Sequence, residues 1–147
     1  MERNASELFV QIRALGAAMD AFERAAGQVL DINRSDLHAL NALEHGPLSH
    51  GDLAVRLGLT AGSVTTLVDR LVRAGYVERR PDPSDRRRSE VALTPATYQA
   101  FARVYRPCGQ AVEDRLRGMS DADCRAAVEA LRLAADAINT TAANMAT

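Results

Sequence analysis

Apolar side chains recur every three or four residues along most of the chain, and this spacing predicts a mainly helical protein. A long helix opening at Ser6 and a last helix capped by Ser120 carry the longest repeats. A supporting helix capped by Asn33 and a helix opening with Thr94 lie between them. In the two terminal helices the spacing alternates between four and three, a heptad pattern that is typical of helix-helix interfaces. The repeats are Leu8, Ile12, Leu15, Met19, Phe22, Ala26 and Val29 in the first helix, and Cys124, Val128, Leu131, Ala135, Ile138 and Ala142 in the last.

A proline lies inside the helix that is predicted after Thr94. Pro107 has no backbone N–H, and its ring clashes with the preceding turn of a helix. We therefore expect a kink near Val104 or a short break before the helix resumes to Arg117.

The segment from Ser49 to Gly75 predicts two short helices joined by a tight turn. Ser49, with Asp52 three residues later, forms a capping-box-like start, and Gly58 ends the first helix. Thr60 is a natural N-cap for the second helix, which Gly75 closes. Two short helices connected in this way are typical of a helix-turn-helix, whose second helix can enter the major groove of DNA.

The outward face of this second helix combines small groups at its start with arginines further along. Small residues let the backbone approach base edges, hydroxyls can bind bases or phosphates, and a later arginine can reach flanking phosphates. An ordinary solvated helix face would carry a similar set, and that alternative stays open on the helix alone. The candidate DNA-binding residues of this region are Ser49, Thr60, Ala61, Gly62, Ser63, Thr65, Thr66, Arg70 and Arg73.

Two short segments of alternating residues follow, at 76–80 and 89–93, and predict a β-hairpin. The loop between them reads PDPSDRRR, in which prolines stiffen the connection while Asp and Ser favour turns. Arg86, Arg87 and Arg88 are therefore predicted at or just past the tip of a wing. Such an arginine can enter a narrow A·T-rich minor groove while its neighbours bind phosphates. Taken alone, the three arginines would indicate only a solvated run of charges.

The second helix and the wing contain the consecutive stretches LVDRLVRAGYVERR, DPSDRRR with Asp85 and Arg87 as an Asp-x-Arg, and VALT before the next helix. In these stretches the chain resembles the multiple-antibiotic-resistance regulator (MarR) family of winged-helix transcription factors. The resemblance implies that Arg87 enters the minor groove and that Arg70 braces the wing or touches phosphate. Family members often carry an acidic residue at the start of the recognition helix that pairs with the wing arginine, and this chain has Thr60 there.

The resemblance extends through weaker motifs to nearly the whole chain, since family members have this length and dimerising helices at both ends. The expected fold is mainly α with a small β-hairpin, a winged helix-turn-helix flanked by N- and C-terminal dimerisation helices. The expected divisions are an N-terminal dimerisation helix at 1–32, the DNA-binding domain at 33–94, and C-terminal dimerisation helices at 95–147.

The predicted function is sequence-specific binding of double-stranded DNA by a homodimer that regulates transcription as a ligand-responsive repressor. Its operator is expected to be pseudo-palindromic, with two recognition helices in successive major grooves about 34 Å apart. The alternative is a winged-helix protein-interaction module that has lost DNA binding. The wing loop discriminates between them, because an interaction module has no need of three tip arginines.

The resemblance also implies a small effector, often phenolic or anionic, that binds between the dimerising helices and the DNA-binding lobe. The residues best placed to contact it are Phe22, His38 and Tyr105, although aromatic residues at such positions are also typical of a plain core.

Charge is unevenly distributed along the 147 residues, whose net charge is only −1. Residues 56–88 hold eight arginines against four acidic residues, whereas residues 1–55 hold four against eight. A positive patch confined to the helix-turn-helix and wing is the pattern expected of a nucleic-acid site. All 18 basic residues are arginine, which suits bidentate and groove-inserted contacts, although a GC-rich coding bias would produce the same preference.

Other chemistry has little support in the sequence. No nucleophile elbow or phosphate-binding glycine loop is present, so no enzymatic activity and no cofactor are expected. His38, His45 and His50 do not have a recognised metal-ligand spacing. Cys108 and Cys124 are predicted to be buried structural thiols, with a redox switch as the alternative. The start of the chain lacks an apolar secretory core and no run is long enough to span a membrane, so a cytoplasmic protein is expected.

Overall fold

The computed structural model describes residues 2–81 and 89–145, which form six helices and three short strands. In chain order they are α1 (Glu2–Leu30), α2 (Arg34–Leu43), β1 (Leu48–Ser49), α3 (His50–Leu57), α4 (Ala61–Arg73), β2 (Val77–Pro81), β3 (Ser89–Leu93), α5 (Pro95–Leu116) and α6 (Asp121–Met145). The predicted fold class is confirmed, since the fold is mainly helical with a small antiparallel sheet. The predicted wing-tip arginines Arg86, Arg87 and Arg88 lie outside the described residues.

Side-chain caps begin five of the helices at the predicted positions. In each case a side-chain oxygen accepts a hydrogen bond from the backbone N–H three residues later, which satisfies a donor that the helix itself cannot. The capping residues are Asn33, Ser49, Thr60, Thr94 and Ser120. The first helix differs from the prediction, because α1 begins at Glu2 rather than at Ser6. No residue before Ser6 breaks a helix, and an acidic residue favours a helix N-terminus.

Glycine follows the C-terminus of both α3 and α4. Gly58 is the C-cap of α3 with φ of 64°, and Gly75 follows α4 with φ of 77°. Both values lie in the left-handed region, which other residues enter only at a cost. The two glycines therefore fix the lengths of the helix-turn-helix pair, as the sequence predicted.

The sheet has the strand order β1-β3-β2, and both pairings are antiparallel. β2 and β3 form the predicted hairpin, in which Val77 faces Leu93 and Pro81 faces Ser89. β1 was not predicted, because two residues are too few to show an alternating pattern. Its Leu48 pairs with Val91, so the start of the helix-turn-helix is hydrogen-bonded to the wing.

The hydrophobic core joins the second half of α1, α2, the helix-turn-helix, the strands and the first half of α5. The largest fully buried side chains are those of Phe101, Leu37, Leu40, Leu53, Leu71, Val64, Val68, Val77 and Val91. Three of these, Val64, Val68 and Leu71, come from the inner face of α4. The core thereby determines which face of α4 remains in solvent.

The chain divides into two compact units, with boundaries inside α1 and inside α5. One unit is Ala17–Pro107, which contains the winged helix together with the adjoining halves of α1 and α5. The other contains the first turns of α1, the end of α5, and α6. The predicted limits of the dimerisation and DNA-binding regions, at residues 32 and 94, concern function and stay a prediction.

Helix α5 continues through Pro107 and ends at Leu116. The break that was one of two predicted outcomes is therefore not observed. A proline inside a helix removes one hydrogen bond and crowds the preceding turn, and a helix can accommodate both by kinking rather than ending.

The terminal helices leave apolar side chains in solvent. No residue of α6 is buried, and the exposed fractions of Val128 and Ile138 are 68% and 44%. In α1, Leu8 and Leu15 are also exposed, by 43% and 50%. None of the described helices is long and apolar enough to cross a membrane.

Candidate nucleic-acid interface

Helix α4 presents a polar outer face because its apolar residues are all used on the opposite side. Thr60 Oγ1 accepts a hydrogen bond from the Ser63 backbone N–H at 3.3 Å and lies 2.9 Å from the Ser63 hydroxyl. The outward residues of its first two turns are all exposed, namely Ala61, Gly62, Ser63, Thr65 and Thr66. The structure thus brings together on one face the residues predicted to approach bases.

Two threonines on this face donate hydrogen bonds to their own helix. Thr65 Oγ1 lies 3.0 Å from the Ala61 carbonyl oxygen, and Thr66 Oγ1 lies 3.2 Å from that of Gly62. Each hydroxyl keeps its acceptor lone pairs and can also rotate toward a ligand. A Cβ added at Gly62 would meet no atom within 4 Å, so no contact within the chain requires glycine there. The absence of a Cβ at Gly62 leaves room for a close partner outside the protein.

Ser49 has a structural role at the start of α3. Its hydroxyl accepts the Asp52 backbone N–H at 3.1 Å and donates to Asp52 Oδ2 at 2.6 Å. Ser49 also belongs to β1, where it pairs with Glu90. The residue predicted to touch DNA therefore connects the helix-turn-helix to the sheet.

An ion pair joins α4 to the wing. Arg79 on β2 donates a hydrogen bond from Nη2 to Asp69 Oδ1. This hydrogen bond is the main cause of a lowered pKa of Asp69, and the charges of Arg79, Arg73 and His50 act in the same direction. The sequence did not predict this pairing, because it depends on the register of β2 against the sheet.

A second ion pair joins α4 to the supporting helix α2. Arg70 donates from Nε to Asp36 Oδ2 at 3.2 Å and from Nη2 to Asp36 Oδ1. The Asp36 side chain is only 9% exposed and that of Arg70 is 47% exposed. The hydrogen bond to Asp36 raises the pKa of Arg70, which is charged in any case. The sequence predicted Asn33 as the cap of this helix but did not indicate the ion pair of Asp36.

The remaining arginines near α4 face solvent. Arg73 is exposed and makes a hydrogen bond from Nε to the Asp69 carbonyl oxygen at 3.2 Å. Arg80, on β2, donates to Glu78 Oε1 at 2.6 Å. Arg73 therefore contacts only its own helix through Nε, which is compatible with a further contact to phosphate.

The three residues predicted to contact an effector belong to one network in the unit Ala17–Pro107. The rings of Phe22 and Tyr105 meet edge to face, with centroids 5.2 Å apart. The Tyr105 hydroxyl donates to Asn41 Oδ1 at 2.9 Å, and Asn41 Nδ2 donates to Glu23 Oε1 at 3.2 Å. His38 Nε2 lies 3.3 Å from the other oxygen of Glu23. Helices α1, α2 and α5 are linked through these contacts.

An open cavity of about 360 Å³ adjoins this network. Its lining includes the polar side chains Glu23, His38, Asn41, His45 and Arg56. Phe22 and Tyr105 are not part of the lining, and they pack behind it through Asn41. Of the predicted effector residues, only His38 faces the cavity directly.

Metal binding has no support among the described residues, which contain no group of three or more His, Cys, Asp or Glu able to hold an ion. Cys108 and Cys124 are free and half-buried on α5 and α6. Their predicted structural or redox role stays a prediction.

The helix-turn-helix, the exposed outer face of α4 and the attached hairpin define a winged-helix DNA-binding regulator. The sequence model described as "MarR family" matches residues 30–88. An HTH-type transcriptional regulator of Bacillus subtilis, YcgE, is 40% identical over 118 residues, which are 80% of this chain and 75% of that protein. The multiple antibiotic resistance protein MarR of Salmonella typhimurium is 27% identical over 137 residues, covering 88% and 95% of the two chains.

The fold agrees with these sequence matches. A MarR family protein from Bacillus stearothermophilus superposes with a TM-score of 0.70 over 95% of this chain and 98% of that one, at 24% identity. The chain therefore belongs to the MarR family of helix-turn-helix transcriptional regulators, a family that binds DNA and is not enzymatic. The alternative of an interaction module without DNA binding is accordingly not favoured.

Proposed function

We propose that the protein is a ligand-responsive repressor that binds a pseudo-palindromic operator as a homodimer. The observation that carries this proposal is the exposed outer face of α4, where small and hydroxyl side chains lie on a helix anchored from two sides. A helix held in this way can enter a major groove as a rigid element, and rigid placement is what base-specific hydrogen bonds require.

The roles proposed for individual residues rest on their positions on α4 and, for the predicted wing-tip arginines, on the sequence alone. Ser63, Thr65 and Thr66 approach base edges, while Arg73 holds a flanking phosphate. Arg87, with Arg86 or Arg88 beside it, enters the minor groove, where narrow A·T-rich sequences concentrate negative potential.

Homodimer formation is supported by the terminal helices. Their heptad positions are apolar, yet Leu15, Val128 and Ile138 are left in solvent. A cavity of about 430 Å³ with an apolar lining also lies beside Phe9 and Ile138. Apolar surface of this extent favours burial against a second copy, and a two-fold dimer would present two α4 helices to one duplex.

Effector binding is supported by the cavity beside Glu23. His38, His45 and Arg56 offer groups that can carry positive charge or donate hydrogen bonds to an anion, and Asn41 connects the cavity to Tyr105. A small carboxylate or phenolate in this cavity would compete with Glu23 for His38. Loss of the His38–Glu23 contact would change the packing of α1 against α2 and so alter DNA affinity.

Selection of bound fragments from a pool of random duplexes tests the central proposal. We expect a motif with two-fold symmetry and half-sites centred about one helical turn apart. Sedimentation should give a dimer, and log K should fall steeply with log salt because several phosphates release counterions. A monomer, or a selected motif with no symmetry, would contradict the proposed mode of binding.

The effector proposal needs its own measurement. p-Hydroxybenzoate, which combines a phenol with a carboxylate, is a suitable probe of the cavity. We expect it to release the selected duplex from the wild type at lower concentration than from His38→Ala. Release of the duplex at the same concentration from both proteins would exclude a site of this chemistry at His38. Failure of millimolar p-hydroxybenzoate to release the duplex from either protein would also exclude it.

A further inference from the structure

Two consecutive residues of α4 are held by two different elements of the fold. Asp69 binds Arg79 of the wing strand β2, and Arg70 binds Asp36 of the supporting helix α2. Successive side chains leave a helix about 100° apart, because one turn takes 3.6 residues. Contacts in both directions restrict small rotations of α4 about its own axis, in addition to the packing of its inner face.

The two anchors lie one turn beyond the residues that face the groove. Thr65 is four residues before Asp69 and Thr66 is four residues before Arg70, so each threonine shares a face with an anchored residue. A binding site tolerates errors of only about 0.5 Å or 10–20° before its contacts weaken. The core sets which face of α4 is exposed, and these ion pairs limit the smaller rotations that would misalign both hydroxyls.

The pair with Asp36 has features of a rigid contact. Both carboxylate oxygens are used: Oδ1 accepts from Arg70 Nη2, and Oδ2 accepts from Arg70 Nε at 3.2 Å and from Asn33 Nδ2 at 2.9 Å. The Asp36 backbone N–H in turn donates to Asn33 Oδ1 at 2.9 Å. The Asp36 carboxylate is thus oriented by the cap of α2 as well as by Arg70.

Release of Arg70 toward a phosphate would be unfavourable. It would leave the carboxylate of Asp36, which is 9% exposed, without its cationic partner. An unpaired charge in a buried position is destabilising, whereas a paired and hydrogen-bonded one is tolerated. Arg73, three residues further on, is exposed, and its Nε donates to the backbone carbonyl oxygen of Asp69 on the same helix.

We propose that Asp36 and Arg70 are positioning residues for sequence recognition, which set the rotation of α4 without touching DNA. This inference rests on the proposed function, since it requires that α4 reads bases. It assigns Arg70 a role different from the phosphate contact that its charge suggested.

The test uses the full-length protein and two duplexes, one enriched from a random pool by the wild type and one of mixed sequence. Asp36→Asn, Arg70→Lys and Arg70→Gln are compared for affinity on each duplex across a series of salt concentrations. Arg73→Gln is the matched control on the same helix. Lysine keeps the charge of Arg70 but cannot reproduce its two-pronged contact with the carboxylate.

We expect Asp36→Asn and Arg70→Lys each to weaken binding to the enriched duplex about tenfold, the loss that follows when one base contact is misaligned. Affinity for the mixed-sequence duplex and the salt slope should stay at wild-type values. The double variant Asp36→Asn/Arg70→Lys should bind the enriched duplex no more weakly than either single variant, because both substitutions remove the same contact. Arg73→Gln should instead lower the salt slope by about 1 per subunit on both duplexes.

Three results would overturn the inference. Arg70→Lys could bind the enriched duplex as well as the wild type, or Arg70→Gln could lower the salt slope as Arg73→Gln does, which would indicate a phosphate contact. Parallel weakening on both duplexes would indicate a merely structural role. If Asp36→Asn does not fold, the two Arg70 variants decide the question, since that side chain is half exposed. Failure of the wild type to bind any duplex would instead contradict the proposed function.

Discussion

Asp69 on α4 and Arg79 on β2 are ten residues apart in sequence and are joined by a hydrogen-bonded ion pair. The pair connects α4, which we propose enters the major groove, to the strand β2 of the hairpin. Since β2 is also paired with β3, and β3 with β1, the contact extends from α4 to the start of α3 through the sheet. The helix-turn-helix and the wing are therefore expected to move as one body.

The Asp69–Arg79 pair predicts a pH dependence of stability. The pKa of Asp69 lies below its ordinary value of 3.8 in the folded protein, mainly because Arg79 donates a hydrogen bond to it. A carboxylate with a lowered folded pKa stabilises the fold above its unfolded pKa, and this contribution is lost as pH falls through the folded value. We expect Asp69→Asn to be less stable than the wild type at neutral pH, and the two to converge in acid.

Urea denaturation at a series of pH values measures this difference. In an Arg79→Gln background the cause of the shift is removed, and Asp69→Asn should then have little further effect at any pH. A stability difference that persists unchanged below pH 3.8 would show that Asp69 acts through something other than its charge.

The minor-groove contact proposed for Arg87 can be tested by substitution. Arg87→Ala should weaken binding to the enriched duplex strongly while leaving the melting temperature unchanged, because a groove-inserted arginine contributes to the complex alone. Arg132→Ala on α6 is the matched control, since it removes the same charge outside the winged helix. Fluorescence anisotropy gives the affinities. Equal affinity of Arg87→Ala and the wild type would remove the wing arginine from the mechanism.

The apolar heptad positions of α6 allow a test of the proposed homodimer. Ile138 is 44% exposed in the single chain and occupies a heptad position, so Ile138→Asp would place a charge in the proposed dimer interface. We expect the variant to sediment as a monomer at concentrations where the wild type is a dimer, because burying an unpaired carboxylate costs several kcal/mol. Asn139→Asp adds the same charge at the next residue and should leave the dimer intact. A dimeric Ile138→Asp protein would place the interface elsewhere.

Buried residues of α5 are expected to contribute more to stability than exposed ones. Phe101 is 2% exposed and stacks on Tyr105 with ring centroids 5.5 Å apart. Phe101→Ala should lower the free energy of unfolding by about 3–5 kcal/mol, since a buried aromatic leaves a cavity that collapses only partly. Tyr98→Ala, three residues earlier on α5 and 58% exposed, should change it by only about 0.5 kcal/mol. Similar losses for the two variants would contradict the packing of α5.

Local chemistry made most of the fold predictable. Caps such as Asn33 and Thr60 act within three residues, and Gly58 and Gly75 adopt left-handed angles at the ends of α3 and α4. The two-residue strand β1 escaped prediction because its pattern is too short. The unbroken course of α5 past Pro107 also could not be read from the sequence, which allowed either a kink or a break.

Some parts of the candidate site were predicted from the sequence and others were not. The outer face of α4 followed from the helical period, since the apolar residues Val64, Leu67 and Leu71 had to face inward. The network of Phe22, His38 and Tyr105 was predicted as a set, but the linking side chains Glu23 and Asn41 were not. Arginine type and position alone could not distinguish Arg70, which binds Asp36, from the exposed Arg73.

The sequence by itself determined the helices, their caps and turns, the hairpin and the family, because each depends on residues that are near neighbours along the chain. Only the tertiary structure decided which charges meet. Asp36 and Arg70 are 34 residues apart, and Asn41 and Tyr105 are 64 apart. Whether such side chains touch depends on how helices pack around the core, and packing is a property of the whole unit rather than of any local pattern.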